Sequence, residues 1–242
     1  MRPLLALIGY YCYSDTVSKC LHAAHGLEIF HNFTLMHDDI MDEAQLRRGH
    51  PASHIKFGLN EAIISGDAMA IMAYEYIMKD CPDDRLRSVL QLFNRTAFDI
   101  CIGQQMDMEF ESREAVTSAE YIEMIRLKTA IFLGLALQLG ALLAGAKESD
   151  ARSLFQYGES LGVGFQIQDD LLDLMGDGDK TGKIRGGDII RQKKTLLICR
   201  ANDLMNEDQK ILLRSLMKNE SSDIEDKLNQ ITQLFEEINL FH

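Results

Sequence analysis

Two stretches of this 242-residue chain repeat one arrangement of carboxylates. His37-Asp38-Asp39-Ile40-Met41-Asp42 and Gln168-Asp169-Asp170-Leu171-Leu172-Asp173 both contain Asp-Asp-x-x-Asp. In a helix, residues four apart share a face, so Asp38 and Asp42 point together, as do Asp169 and Asp173. Asp39 and Asp170 sit about 100° round, near enough to assist. Like charges at this spacing destabilise a helix by about 0.2–0.5 kcal/mol per pair. Mg²⁺ would compensate, because it takes carboxylate oxygens together with water and substrate phosphates. Two facing clusters of this kind could hold several Mg²⁺ with a diphosphate between them. The competing reading is a solvated acidic face, and one such motif alone would not decide the matter. The surroundings do: Leu35, Met36, Ile40 and Met41 flank the first copy, and Phe165, Ile167, Leu171 and Leu172 the second. Carboxylates among apolar helix residues are paired or hold metal.

Basic residues lie close to both copies. Arg47 and Arg48 follow the first. The segment after the second carries Lys180, Lys183 and Arg185, then Asp188, Lys193 and Lys194. Lys128-Thr129 occurs on a separate apolar stretch. A departing diphosphate requires metal cations with Lys or Arg clamps. Taken singly, each of these cations reads as an ordinary surface charge.

The elements that must position these groups are helical. Helical periodicity runs through 14–37, 60–79, 84–112, 117–128, 130–145, 149–175, 188–205, 208–217 and 223–240, with no alternation long enough for a sheet. Loops are expected at 47–58, at 79–84, and at 175–188, where five of fourteen residues are glycine. Proline agrees: Pro3, Pro51 and Pro82 are the only three, and helix interiors exclude it. The expectation is a single all-α domain over 1–242.

Composition removes other classes. There are 37 acidic against 25 basic residues, for a formal charge of −12. General nucleic-acid binding wants a basic face. The five cysteines form no CxxC pair, which offers neither a zinc site nor a redox motif and suits free thiols in the cytoplasm. The longest apolar run, 131–145, falls short of the roughly 18 residues needed to span a membrane. The N-terminal apolar stretch lacks a good signal-peptide cleavage site.

Taken in order, the motifs resemble the trans-isoprenyl diphosphate synthases. "LMHDDIMDEAQLRRGHPASH" is similar to that family's first aspartate-rich motif, and "GFQIQDDLLDLMGD" to its second. "GQQMD" (103–107), "RLKTA" (126–130) and the Gly182-Lys183, Gly186–Ile189 and Lys193 segment match the remaining motifs. The resemblance runs over nearly the whole chain. It implies antiparallel helices around a central cavity and a homodimer. It also implies a reaction: Mg²⁺-assisted ionisation of an allylic diphosphate, attack by isopentenyl diphosphate, and proton loss.

Residue roles follow from the same resemblance. Asp38, Asp42 and Asp169 would bind Mg²⁺ directly, supported by Asp39, Asp170 and Asp173. Arg47, Lys128, Lys183 and Lys193 would hold the allylic diphosphate. Lys128, Thr129 and Gln166 would line the reacting centre. Arg2, His31 and Arg48 would bind isopentenyl diphosphate, with Phe165 packed beside it. Gln104, Asp107 and Asp188 would support these groups. Phe33, with Thr34 and Phe30, would limit chain length to roughly fifteen to twenty carbons. Two departures stand out. Arg2-Pro3 resembles the end of a longer GGKxxRP motif, and the family's first and last helices are not represented. A terpene cyclase and a non-catalytic subunit of a heteromeric synthase are the alternatives. The two intact aspartate motifs weigh against both.

Overall fold

A computed structural model describes residues 1–176, 186–218 and 223–240. Lys180, Lys183 and Arg185 lie outside the described residues. The chain begins with α1 (Arg2–Tyr11), a 3₁₀ turn (Val17–Cys20) and α2 (Leu21–Met41). A two-strand ladder follows, β1 (Leu46–Arg47) and β2 (His50–Pro51), then α3 (Ser53–Phe57), α4 (Leu59–Met78) and α5 (Asp83–Ser112). Next come α6 (Ser118–Ile125), a π turn (Arg126–Ala130), α7 (Ile131–Leu143) and α8 (Glu148–Met175). The remaining described helices are α9 (Gly187–Ile190), α10 (Leu196–Leu204), α11 (Glu207–Lys218) and α12 (Ile224–Glu237). The all-α expectation holds, and the ladder at 46–51 is the only sheet among the described residues.

The helix starts are legible because their caps are. Thr117 accepts the Glu120 N–H at 3.2 Å, and the Glu120 carboxylate accepts the Thr117 N–H at 2.9 Å. This reciprocal box satisfies two of the donors that a helix start leaves exposed. Asp223 caps α12 by accepting the Glu225 N–H.

Several expectations needed correction. Helix α1 lies where no helix was expected, and the expected loop at 47–58 holds most of the ladder and α3. Residues 14–37 are not one helix: a turn after α1, with Ser14 N–H on the Tyr10 carbonyl, delays α2 until Leu21. Residues 188–205 are interrupted, because Gln192 has a φ of 57° and leaves the helical region between α9 and α10. No glycine or proline announces that break. The length criterion for a membrane helix also changes. The π turn joins α6 and α7 into one rod, Ser118–Leu143, long and apolar enough to pass. Its most apolar window is 83% buried, as in a core helix.

The described chain divides into two compact units, 1–96 with 132–158, and 97–131 with 159–242. In the first, α2 buries Ala23, Ala24, Gly26, Leu27 and Phe30, and α4 buries Ala62, Gly66, Ala73 and Ile77. Small residues let these helices approach: a Cβ on Gly26 would lie 2.9 Å from the Ala73 carbonyl oxygen. Helix α1 reaches α7 in the same way. A Cβ on Gly9 would stand 2.2 Å from the Leu137 carbonyl oxygen, and one on Gly140 1.9 Å from that of Ala6. The described residues of the second unit form two apolar clusters. One joins Leu174, Ile189, Ile198, Leu213, Leu228 and Phe235, and the other Phe110, Tyr121, Met124, Ile125 and Cys199.

Gly140→Ala tests this crossing. Overpacking of this kind typically costs about 1–3 kcal/mol. For a domain of this size that lowers the melting midpoint by roughly 2–4 °C per kcal/mol. An unchanged midpoint would show that α1 does not dock as described.

Candidate active site

The first acidic cluster occupies the end of α2. Asp42 is the C-cap and Glu43, with a φ of 50°, is the left-handed residue after it. The Ala44 N–H donates to the Asp39 carbonyl at 2.9 Å and the Glu43 N–H to that of Ile40 at 3.3 Å. This is a Schellman termination with a non-glycine residue in the left-handed position. It places Asp38, Asp39 and Asp42 at the negative end of the helix dipole, where anions are disfavoured by about 0.3–1 kcal/mol each. Such an end wants cations.

The following hairpin returns one. Arg47 pairs with His50 across the ladder, leaving Arg48-Gly49 as a two-residue turn. Both have positive φ, 53° and 78°, the signature of a type I′ hairpin. Arg47 Nε then donates to both Asp39 oxygens, at 2.9 and 3.1 Å, and Nη2 lies 3.5 Å from Asp38 Oδ2. Asp39 is only 4% exposed, and this fork satisfies it. The Asp39 hydrogen bond is the chief reason that the Arg47 guanidinium is held above its ordinary pKa. Asp39 is therefore an anchor for Arg47, while helix geometry gives Asp38 and Asp42 a common face. Arg48 sits at the hairpin tip in a conformation that glycine would adopt without strain.

Two turns before Asp38, His31 Nε2 accepts from Arg2 Nη1 at 2.9 Å. Arg2 also lies over the Phe132 ring, 4.9 Å from its centroid. The close docking of α1 on α7 brings Arg2 here. Its Nε is buried with no partner among the described residues. Burial first, then the Arg2 and Arg48 charges, push His31 down to about 3. Neutral His31 carries its proton on Nδ1, since Nε2 accepts. Phe30 is buried, with ring centroids 5.3 Å from Phe33, 4.9 Å from Phe93 and 5.6 Å from Phe132. Phe33 also stacks edgewise on His37 at 4.8 Å. Thr34 turns its hydroxyl back to the His31 carbonyl at 2.8 Å. Phe93 and Phe132 were not singled out from the sequence.

In the second unit, Lys128 and Thr129 fall within the π turn. Such single-turn insertions are frequent at functional sites. Glycines clasp it: a Cβ on Gly103 would lie 2.3 Å from the Lys128 amide nitrogen, and one on Gly162 2.5 Å from the Ala130 Cα. Lys128 Nζ donates to Asp107 Oδ2 at 2.6 Å. Gln104, one turn before Asp107, has a buried Nε2 with no partner among the described residues. The second acidic cluster occupies the last two turns of α8. Asp170 is 4% exposed and accepts from Tyr121 Oη at 2.6 Å, Gln166 Nε2 at 3.2 Å and the Leu196 N–H at 3.2 Å. Asp173 Oδ2 accepts the Asp188 N–H at 3.0 Å. Lys193 donates its backbone N–H to the Asp188 carbonyl at 2.8 Å. Burial raises the Asp170 and Asp188 carboxyls, against donors and cations that lower them. Phe165 remains exposed on α8.

The donor chemistry fits Mg²⁺. Carboxylate oxygens at helix C-termini are hard ligands of the kind Mg²⁺ takes. Among the described residues no three His, Cys, Asp or Glu groups are preassembled as a metal cage.

The buried His31 has a consequence for stability against pH. Its folded pKa, about 3, lies below the 6.5 of a free imidazole. The unfolded chain therefore binds the extra proton between these values. The stabilising contribution is complete above about pH 6.5 and is lost as pH falls towards 3. His31→Gln should remove up to one proton, about 1.4 kcal/mol per pH unit, from that slope in denaturant titrations. An unaltered slope would contradict a buried, neutral His31.

Comparison with known proteins accords with this geometry. Residues 1–235 match the Polyprenyl synthetase family. The chain is 43% identical over 202 residues to a geranylgeranyl pyrophosphate synthase of Geoglobus acetivorans, covering 83% of this chain and 63% of that protein. It is 38% identical to a short chain isoprenyl diphosphate synthase of Methanocaldococcus jannaschii, covering 91% and 67%. A crystal structure of geranylgeranyl pyrophosphate synthetase from Pyrococcus horikoshii superposes with a TM-score of 0.92 at 31% identity, covering 98% of this chain and 72% of that one. The chain thus spans a little under two thirds of the Geoglobus relative's length. Its all-α architecture is that of the isoprenoid synthases, and the chain belongs to the polyprenyl synthetase family.

Proposed function

We propose that this chain is a trans-prenyltransferase that joins isopentenyl diphosphate head-to-tail to an allylic diphosphate. The observation that carries the reading is the double placement of Asp-Asp-x-x-Asp at helix C-termini, each with a buried middle aspartate held by the protein. That placement makes sense when cations and their phosphate ligands complete it. Bound Mg²⁺ would supply charge neutralisation for the departing diphosphate. Asp38, Asp42 and Asp169 would ligate it, with Asp173 in support. Lys128, released from Asp107, and Arg47 would grip the allylic diphosphate, together with Lys193 and Lys183. Thr129 and the Gln166 carbonyl would offer dipoles to the developing allylic cation. Arg2, His31 and Arg48 would receive the isopentenyl diphosphate, the orphaned Arg2 Nε being one donor in need of an acceptor. Neutral His31 can donate from Nδ1 without adding charge.

The Geoglobus relative is named a geranylgeranyl pyrophosphate synthase. That supports a product of roughly fifteen to twenty carbons. A homodimer is part of the same proposal. Ile64, Ala68 and Ile71 form an exposed i, i+4, i+7 stripe on α4, both isoleucines being 67% exposed. Sedimentation would distinguish one chain from two.

The assay supplies dimethylallyl, geranyl or farnesyl diphosphate with labelled isopentenyl diphosphate and Mg²⁺. Acyclic prenyl diphosphates are expected. Asp38→Asn should lower kcat by at least about a hundredfold, the scale of losing one transition-state electrostatic contact. A cyclic hydrocarbon would indicate a cyclase, and absence of turnover with the N-terminal GGKxxRP motif restored would favour a non-catalytic subunit.

Chain length gives a second prediction. Phe33→Ala removes a half-buried ring while leaving the Phe30–Phe93–Phe132 cluster in place. Products should lengthen by one or more five-carbon units with little loss of stability. Phe30→Ala, by contrast, should cost about 3–5 kcal/mol. Unchanged product length in Phe33→Ala would rule out Phe33 as the stop.

A further inference from the structure

Asp170 is the middle aspartate of the second cluster, yet the protein itself fills its oxygens. Oδ2 takes the Tyr121 hydroxyl at 2.6 Å and the Leu196 N–H at 3.2 Å, and Oδ1 takes the Gln166 amide at 3.2 Å. These donors come from α6, from the first residue of α10, and from α8 itself. Leu196 N–H is one of the donors that the start of α10 leaves unsatisfied, and the Thr195 side chain does not cap it. Asp170 is therefore an N-cap supplied from another helix, a favourable place for an anion. Tyr121 is a buried phenol within the Phe110–Val116–Met124–Ile125 cluster, so its ring cannot turn away from the carboxylate without opening apolar packing.

We infer that Tyr121 is a positioning residue for the second acidic cluster. Its hydroxyl fixes Asp170, and Asp170 fixes the rotation of α8. Asp169 and Asp173, one residue before and three after, are thereby held in a set orientation. The same carboxylate can accept only from the NH₂ end of Gln166. That leaves the Gln166 carbonyl oxygen as the end offered to substrate. Tyr121 touches neither ligand nor reacting atom, and its effect passes through Asp170. It lies seven residues before Lys128, so one rod carries both the strut for one cluster and a cation of the site.

This inference rests on the diphosphate chemistry proposed above, and the experiment separates the two. The melting midpoint is measured against Mg²⁺ concentration with inorganic diphosphate present, for wild type, Tyr121→Phe, Asp170→Asn and the double variant, with kcat and KM alongside. Wild type should rise in midpoint with Mg²⁺. Tyr121→Phe should need about tenfold more Mg²⁺ for half the rise, the lower end of what loss of an outer contact that orients a metal site costs. Its kcat should fall while KM for isopentenyl diphosphate stays the same. Asp170→Asn should behave alike, and the double variant should be no worse than either, since both remove one strut. If Tyr121→Phe lowers the basal midpoint but leaves the Mg²⁺ dependence unmoved, the hydroxyl is structural only and the inference fails. It fails equally if Asp170→Asn costs a hundredfold or more and adds independently to Tyr121→Phe, because Asp170 would then be a direct ligand. A wild-type chain with no Mg²⁺-dependent rise would overturn the functional reading, and the inference with it.

Discussion

Negative charge gathered at the wrong end of a helix is the constraint on which the rest of this structure depends. Helix α2 ends at Met41 with Asp42 as its C-cap, α8 ends at Met175, and three aspartates gather at each of these ends. The helix dipole, the mutual repulsion and the partial burial all oppose this arrangement. Each cluster meets the cost in the same way. The middle aspartate is turned inward and given protein donors, Arg47 for Asp39 and the Tyr121–Gln166–Leu196 set for Asp170. The outer aspartates keep the shared face that i, i+4 spacing provides. A sequence selected for stability alone would have replaced them.

The packing follows from the need to hold these groups still. Glycine occurs where backbones must nearly touch, and three of those places bear directly on the proposed chemistry. Gly9 and Gly140 let α1 approach α7 closely enough for Arg2 to reach His31. Gly103 accommodates the backbone of the π turn at Lys128, and Gly162 accommodates it at Ala130. The extra residue of a π turn would ordinarily be expelled by the next helix. Here the missing side chains make room for it, and Lys128 and Thr129 take positions that a regular helix would not give them.

Much of this was legible in the sequence. Helix starts at 60, 84, 117, 149, 208 and 223 fell within one residue of those observed, because caps and apolar periodicity are local signals. The delayed start of α2 and the break at 191–195 were missed because they are set elsewhere, and α1 was not expected at all. The first follows from the turn that closes α1. The second follows from a left-handed Gln192 that no residue type announces. The candidate aspartates were identified from residue type and spacing, whereas Arg47 and Lys128 took their roles from the family resemblance. Tyr121, Phe93 and Phe132 were not, since a phenol or phenyl ring on an apolar helix face reads as core until its partner is known.

The sequence by itself determined that the chain is helical, that it carries two acidic clusters of matching geometry, and that basic residues accompany each. Those facts depend on residues within a turn or two of one another, and helix geometry fixes them. Only the tertiary structure decided which aspartate of each cluster is buried and which donors hold it. The same is true of the neutral state of His31 and of the clasped π turn. These depend on contacts between residues as distant as Tyr121 and Asp170, or Arg2 and His31, and no local period encodes such a meeting.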